Sequence, residues 1–488
     1  MSKFQLSPQV KNMKVFFVHL SDLDGRFDPI YYYSVNNLEI VNKTIYPIKK
    51  LSEVIEMTRG RFGHRPRNDP RFYGGEYPFI QTGDIVRASN SNGKITYSQT
   101  LNELGLKTSR LFDKPVVVIT IAANIGDTAI LDYPACFPDS LIGMQPKNDS
   151  LTLEYINLYF KFIRHYLNDL APQSAQKNIN YQQLAPIPIV VPPLGVQKNS
   201  VHIYNKALAQ QAQKKQQASA LLASIDTYLL GELGITLPEQ DNSLEKRVFR
   251  VSSREVSGGR FDPKLYDNCT TGLKKTLQQS EFEKIPLRSV LLQSIAGDWG
   301  KDVDEEVGDG FQKCLVVRST EFNNHYNLNL DGSRAKYRLI ADEKLKKINI
   351  QVNDLLIEKS GGSPDQPVGR VAIVTSEHLD QALCYSNFIH KIRVDDSVVY
   401  PEYLFNYLKV MHSIKLTDAM QSQTNGIRNL IMGSFLGQSI VKPPMAEQIR
   451  IAQHIQSIRI QAAQLQAEAA QVLADAKAQI ERMILGDS

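Results

Sequence analysis

Five arginines, Arg59, Arg61, Arg65, Arg67 and Arg71, fall within thirteen residues that hold one acid, Asp69. Gly60, Gly63, Pro66 and Pro70 interrupt them, with Phe62, His64 and Phe72 interleaved. Glycine and proline at that density predict a loop. A guanidinium presents a planar fork of donors that fits phosphate oxygens and the O6/N7 edge of guanine, so this loop points to DNA. An isolated charge run is usually just a solvated loop; the near absence of compensating acid favours DNA here. Smaller basic sets follow at Lys107 and Arg110, at Lys177, and at Arg334, Lys336 and Arg338. Residues 174–180 and 421–429 place Lys177, and Gln423 with Arg428, among amides suited to base edges or phosphates.

Catalytic patterns are missing. There is no phosphate loop of the GxxxxGK[ST] type, no GxGxxG opening a helix and no GxSxG elbow. Ser360-Gly361-Gly362-Ser363-Pro364 lacks the lysine and following helix of a phosphate loop and reads as a turn. Asp342-Glu343-Lys344 sits in a charged run, residues 342–347, and reads as solvated surface rather than a nuclease site. The histidines show no HExxH or HxH spacing, so no metal site is expected. The four cysteines, Cys136, Cys269, Cys314 and Cys384, form no CxxC pair, which fits a reducing cytosol.

The elements that must position the basic residues emerge from an internal repeat. Gly25-Arg26-Phe27-Asp28-Pro29 recurs as Gly259-Arg260-Phe261-Asp262-Pro263, at an offset of 234. Tyr155, Tyr159 and Lys161 recur as Tyr403, Tyr407 and Lys409, and Cys136 as Cys384, at 248. Pro192-Pro193 with Gln197 recurs as Pro443-Pro444 with Gln448, at 251. Offsets that only grow describe one unit repeated twice, with small insertions in the second copy. The second copy lacks the arginine loop. Its nearest counterpart is acidic, with Asp298, Asp302, Asp304, Glu305, Glu306 and Asp309 around Trp299.

Each copy begins as a mixed zone, residues 1–191 and 245–442. Short β-rich runs such as Val116-Val117-Val118-Ile119 and Leu315-Val316-Val317 alternate with turns, and residues 153–167 and 402–411 have amphipathic helical patterns. Each zone predicts an α+β domain. A long helix then follows each, at 192–233 and 443–486, with a polar linker at 234–244 between the copies. In the first helix Leu194, Val201, Leu208, Leu222 and Leu229 fall on one seven-residue register, with Lys215 filling its remaining position, between Leu208 and Leu222. Its companion seam holds Tyr204, Gln211, Ala218 and Ile225. In the second, one seam holds Ile451, Ile458, Leu465 and Val472; the other holds Ile455, Ala462, Ala469, Ala476 and Met483. Such heptads predict coiled-coil helices that pair with each other, with Lys215 and Gln211 weakening the seam locally. A double proline opens each helix, and Gly231 and Gly486 are suited to end them.

The chain has 488 residues, a length that at roughly 150 residues per domain fits about three units. Its composition, 42% hydrophobic and 22% charged, excludes a wholly disordered or collagen-like protein. A net charge of +5 permits a nucleic-acid partner without requiring one. No apolar run is long enough for a membrane span, so a soluble cytoplasmic protein is expected.

Two similar α+β domains, each followed by a Pro-Pro-x-x-x-Gln helix, resemble the specificity subunit of type I restriction–modification enzymes. Ile187-Pro188-Ile189-Val190-Val191-Pro192-Pro193 through Gln197, Asn425-Gly426-Ile427-Arg428-Asn429-Leu430, and Val441-Lys442-Pro443-Pro444-Met445-Ala446-Glu447-Gln448 carry the likeness. Asn178-Ile179 matches Asn429-Leu430 at offset 251. The resemblance implies an α+β, pseudo-twofold fold: two target recognition domains separated by two long antiparallel coiled-coil helices. Each domain would read one half of a split site on double-stranded DNA. The helices would dock two methyltransferase (modification) subunits, and restriction/translocase subunits would join them. S-adenosylmethionine, ATP and Mg2+ would then belong to partner subunits, and this chain would be non-catalytic. Two alternatives stand beside it: service to a methyltransferase-only or non-translocating restriction system, and a protein-interaction module with a coiled-coil spacer.

Overall fold

The computed structural model describes residues 43–63, 68–91, 93–122, 124–170, 178–238, 243, 245, 248–257, 261–323, 328–330, 336–362, 366–424 and 427–486. They fall into two compact units, Met1–Lys215 with Gln466–Ser488, and Gln216–Leu465.

The first unit is built on a four-stranded antiparallel sheet ordered Ile55–Arg59, Leu141–Pro146, Val116–Thr120, Thr128–Leu131. All five residues of Val116–Thr120 are buried, because both faces of the sheet are covered. Val117 and Ile119 enter a core with Tyr155, Ile156, Tyr159 and Phe160 of the helix Leu153–Phe162. Val116 and Val118 enter another, with Ile80, Ile85, Phe112 and Phe137. A continuous apolar run is what a strand buried on both sides requires. The helical pattern expected over 153–167 is realised as two helices, Leu153–Phe162 and Arg164–Leu170, broken at Ile163.

The second unit repeats this frame. Its sheet runs Leu291–Ala296, Ile389–Val394, Leu355–Glu358, Val371–Ile373 in the same order. The helix Pro401–Ser413 takes the place of Leu153–Phe162. A two-stranded ribbon precedes each long helix: Ile48–Lys50 with Pro188–Val190, and Glu283–Pro286 with Ser439–Lys442. Tyr155 Oη donates to Val190 O at 3.1 Å and Tyr403 Oη to Val441 O at 2.7 Å, so the repeated tyrosines tie helix to ribbon in both copies. Ile179 N donates to Ile121 O and Leu430 N to Lys359 O, which aligns Asn178-Ile179 with Asn429-Leu430 in space.

The repeated glutamine has a physical reason. Gln197 is fully buried; its Oε1 accepts from Thr152 N at 3.0 Å, and its Nε2 donates to Pro192 O at 2.8 Å and Ser150 O at 2.7 Å. Gln448, also buried, accepts from Tyr400 N and donates to Pro443 O, both at 2.8 Å. Each side chain therefore clamps the first turn of a long helix to the segment that opens the domain helix.

The long helices are Leu194–Glu232 and Met445–Leu485. In the first unit Tyr204 of one packs in the core with Ile480 and Ile484 of the other. Lys214 pairs with Glu468 at 2.6 Å, and Gln211 Nε2 reaches Ala469 O at 3.1 Å. Gln211 thus makes a cross-helix bond, helped by the small side chain at Ala469, while Lys215 is exposed. In the second unit Ile225 and Leu229 share a core with Ile451, Ile455 and Ile458, and the Tyr228 and His454 rings lie 4.3 Å apart. Within each unit the two helix segments run antiparallel. Leu194, expected in the seam, is 41% exposed because it follows the double proline directly, outside the packed face. The first helix ends at Glu232, one residue past Gly231 and within the expected range 192–233. Gly234 takes the left-handed conformation (φ 66°), and Ile235 N closes on Leu230 O. Gly486 (φ 86°) ends the second as expected. Ser360–Gly361, read as part of a turn, is a short strand paired with Arg428 and Asn429. Residues 342–347 form most of the helix Asp342–Ile348, its acids in the first turn and lysines in the last.

Replacing Gln197 by alanine removes the partner of Thr152 N–H and of two carbonyls. At about 1–3 kcal/mol per buried group left unpaired, Gln197→Ala should destabilise the full chain by roughly 2–4 kcal/mol in chemical denaturation. Gln448→Ala should do the same, and the exposed Lys198→Ala should do nothing measurable. A Gln197→Ala loss no larger than that of Lys198→Ala would show that the clamp is not needed.

Candidate nucleic-acid interface

The arginine loop leaves the first sheet at the end of Ile55–Arg59. Gly60 fits there because a β-carbon would lie 2.4 Å from the carbonyl oxygens of Phe137 and Pro138. Buried Phe62 anchors the loop, its ring 5.1 Å from Phe79, 5.9 Å from Tyr73 and 6.3 Å from Phe72. The loop is then sewn to the chain following the helix Glu103–Thr108. Gly63 N donates to Thr108 O at 2.9 Å and Ser109 Oγ to Arg61 O at 2.7 Å. Arg61 donates to Ser109 O at 3.2 Å, and Arg110 to Arg59 O at 2.8 Å. Asn102 caps that helix by accepting from Leu104 N and Gly105 N, and its Nδ2 holds Arg71 O at 2.9 Å.

These bonds bring Arg59, Arg61 and Arg110 together, with Arg71 held by Asn102 at the start of the helix that carries Lys107. Arg59 Nε donates to Asp139 O at 2.6 Å, and Arg71 pairs with Asp69 at 2.7 Å, a hydrogen bond that raises the Arg71 pKa. A guanidinium carries five N–H donors, so each arginine keeps others for a phosphate or base. Phe62 was visible in the sequence as an interleaved aromatic, whereas Asn102 and Ser109, which also hold the loop in place, carried no signal there. Arg65, Arg67, Lys177 and Arg334 lie outside the described residues.

Beside the patch, sharing Tyr73 and Phe79 with it, lies a groove of about 610 Å³ lined also by Asn68, Gln81, Arg87, Gln99 and Pro138. Gln81 Nε2 donates to Gln99 Oε1 at 2.9 Å, and Arg87 pairs with buried Asp84. Neither glutamine was singled out from the sequence, where they stand far apart without a motif.

In the second unit the equivalent turn is Ala296-Gly297-Asp298. A β-carbon on Gly297 would meet Tyr385 O at 2.1 Å, and Asp298 N donates to Tyr385 O as Arg61 N does to Phe137 O. Position 61 of the first copy is therefore an acid in the second. Arg338 is buried there. Its guanidinium lies 4.7 Å over the Trp299 ring, donates to Trp299 O and Gly300 O at 3.1 and 3.2 Å, and pairs with Asp302. It braces the acidic turn, whereas Lys336 on the same strand is exposed. Gln423 and Arg428 face each other across the hairpin Gln421–Thr424/Ile427–Leu430, Gln423 exposed and Arg428 half-buried.

Burial pushes the Cys136 thiol up and that of Cys384 up to about 12, so neither is an activated nucleophile. Among the described residues no three His, Cys, Asp or Glu side chains are grouped to hold a metal, and no helix is long and apolar enough to cross a membrane.

Residues 46–222 match the family model of the type I restriction modification DNA specificity domain. The first repeat belongs to that family. A chain solved in work on the complex assembly and conformational transition of the type I R-M system shares the fold at TM-score 0.51 and 15% identity, over 91% of this chain and 98% of that one. The HsdS subunit of Thermoanaerobacter tengcongensis aligns at TM-score 0.43 and 15% identity, over 91% of this chain and 97% of its own. The type I S subunit of M. genitalium aligns at 0.42 and 12%, over 91% and 96%.

The two basic residues of Lys336–Ala341 should separate by role. Arg338→Ala strips two carbonyls of their donor and Trp299 of its cation, and should cost about 2–3 kcal/mol of stability. Lys336→Ala should stay within roughly 0.5 kcal/mol. Thermal denaturation of both variants checks this; equal stability would mean that Arg338 does not brace the turn.

Proposed function

We propose that this chain is the DNA sequence-specificity subunit of a type I restriction–modification complex, reading a bipartite site with one unit per half. One observation carries the reading: a single structural frame occurs twice, and at its equivalent turn the first copy presents Arg61 and the second Asp298. Two copies of one scaffold with unlike surfaces suit two unlike half-sites. The match of the first repeat to a DNA specificity domain supports it. Each long helix is continuous over about forty residues, Leu194–Glu232 and Met445–Leu485, which suits a role in setting the unread spacer and in docking two methyltransferase subunits. Restriction subunits complete the complex. S-adenosylmethionine, ATP and Mg2+ serve the partners, and this chain does no chemistry of its own.

The test is salt dependence. In the complex assembled with methyltransferase subunits, each arginine that neutralises a phosphate adds ~0.9 to the slope of log K against log[salt]. Arg59→Ala and Arg61→Ala should each weaken DNA binding and lower that slope by about 0.9. Binding that is insensitive to salt, or unaffected by both changes, would contradict DNA recognition by this surface.

A further inference from the structure

The groove beside the arginine patch brings two side-chain amides, Gln81 and Gln99, together. Phe79 N donates to the backbone oxygen of Gln99 at 3.0 Å, and Ile80 N donates to Cys136 O at 2.8 Å. Gln81 follows directly, its own N–H held by the Asp84 carboxylate at 2.7 Å. This backbone register places the Gln81 and Gln99 side chains together, and Gln81 Nε2 donates to Gln99 Oε1 at 2.9 Å. That bond uses one of the two Nε2 protons and restrains the Gln81 amide. Its Oε1 and second N–H take no other bond among the described residues. Asp84, which could repel DNA, is buried and neutralised by Arg87.

We propose that Gln81 reads an adenine in the half-site of the first unit, with Gln99 as a positioning residue. The inference rests on the proposed function. A planar amide with one acceptor and one donor left over, presenting the donor beside the acceptor when Gln99 takes the other proton, matches the N6–H donor and N7 acceptor that adenine shows in the major groove. Guanine presents two acceptors there, and cytosine and thymine offer only one polar group each. The Gln81 amide is therefore selective, whereas Arg59 and Arg61 can serve any phosphate. The charge beside the groove supplies the attraction and the amide supplies the choice.

The test uses the full chain assembled with methyltransferase subunits. The probes are duplexes carrying the sequence found by methylation mapping, with each base pair of both half-sites changed in turn. Gln81→Ala should lose roughly 10- to 100-fold discrimination for adenine at a single position of one half-site, leaving the other positions as in wild type. Gln81→Glu has acceptors only and should turn that position toward cytosine. Gln99→Glu still accepts from Gln81 and should keep the adenine preference at reduced affinity, while Gln99→Met should lose part of it. Melting temperatures equal to wild type would confirm that the variants are folded. A Gln81→Ala complex unchanged at every position, or weakened at all alike, would overturn the assignment while leaving the proposed function intact. A wild-type complex that binds mapped and scrambled duplexes equally would overturn both.

Discussion

A buried amide at the start of each long helix governs this structure. Gln197 and Gln448 are removed from water, so their donors and acceptors must be met inside the protein. They are met by a proline carbonyl five residues back and by the N–H at the start of a distant helix. The double proline fixes where the long helix begins, and the glutamine fixes its attachment to the recognition domain. Pro-Pro-x-x-x-Gln is thus the local code for joining rod to reader, and it is used twice.

The rods do not stand apart from the domains. Tyr204, Ile480 and Ile484 belong to the core of the first unit, and Ile225, Ile451 and Ile455 to that of the second. The first unit is therefore completed by a segment from the far end of the sequence, residues 466–488, whereas the second is one continuous stretch, Gln216–Leu465. The heptad pattern announced the helices because apolar spacing on a helix is a local signal. It could not say that outer positions such as Ile480 and Ile484 join a domain core, since that depends on the domain surface they meet.

Legibility followed the range of the interactions. The repeat, the doubly covered strand Val116–Thr120 and the helix Pro401–Ser413 were readable because periodicity and run length express burial directly. The break at Ile163 was not, because no glycine or proline marks it. At the surface, the arginine loop was visible as composition, but its grouping with Arg110 rests on hydrogen bonds between segments about 50 residues apart. Arg338 shows the converse. Its charge looked available for DNA, yet Trp299 and two carbonyls enclose it.

One clamped frame, used twice with different surfaces, is proposed to read two different DNA half-sites. A long-read methylation map of a host carrying this gene, compared with the same host lacking it, tests this most directly. The account predicts a new modified sequence with two unlike specified halves separated by a fixed unread spacer. A contiguous sequence without a spacer, or a map unchanged by the gene, would contradict it.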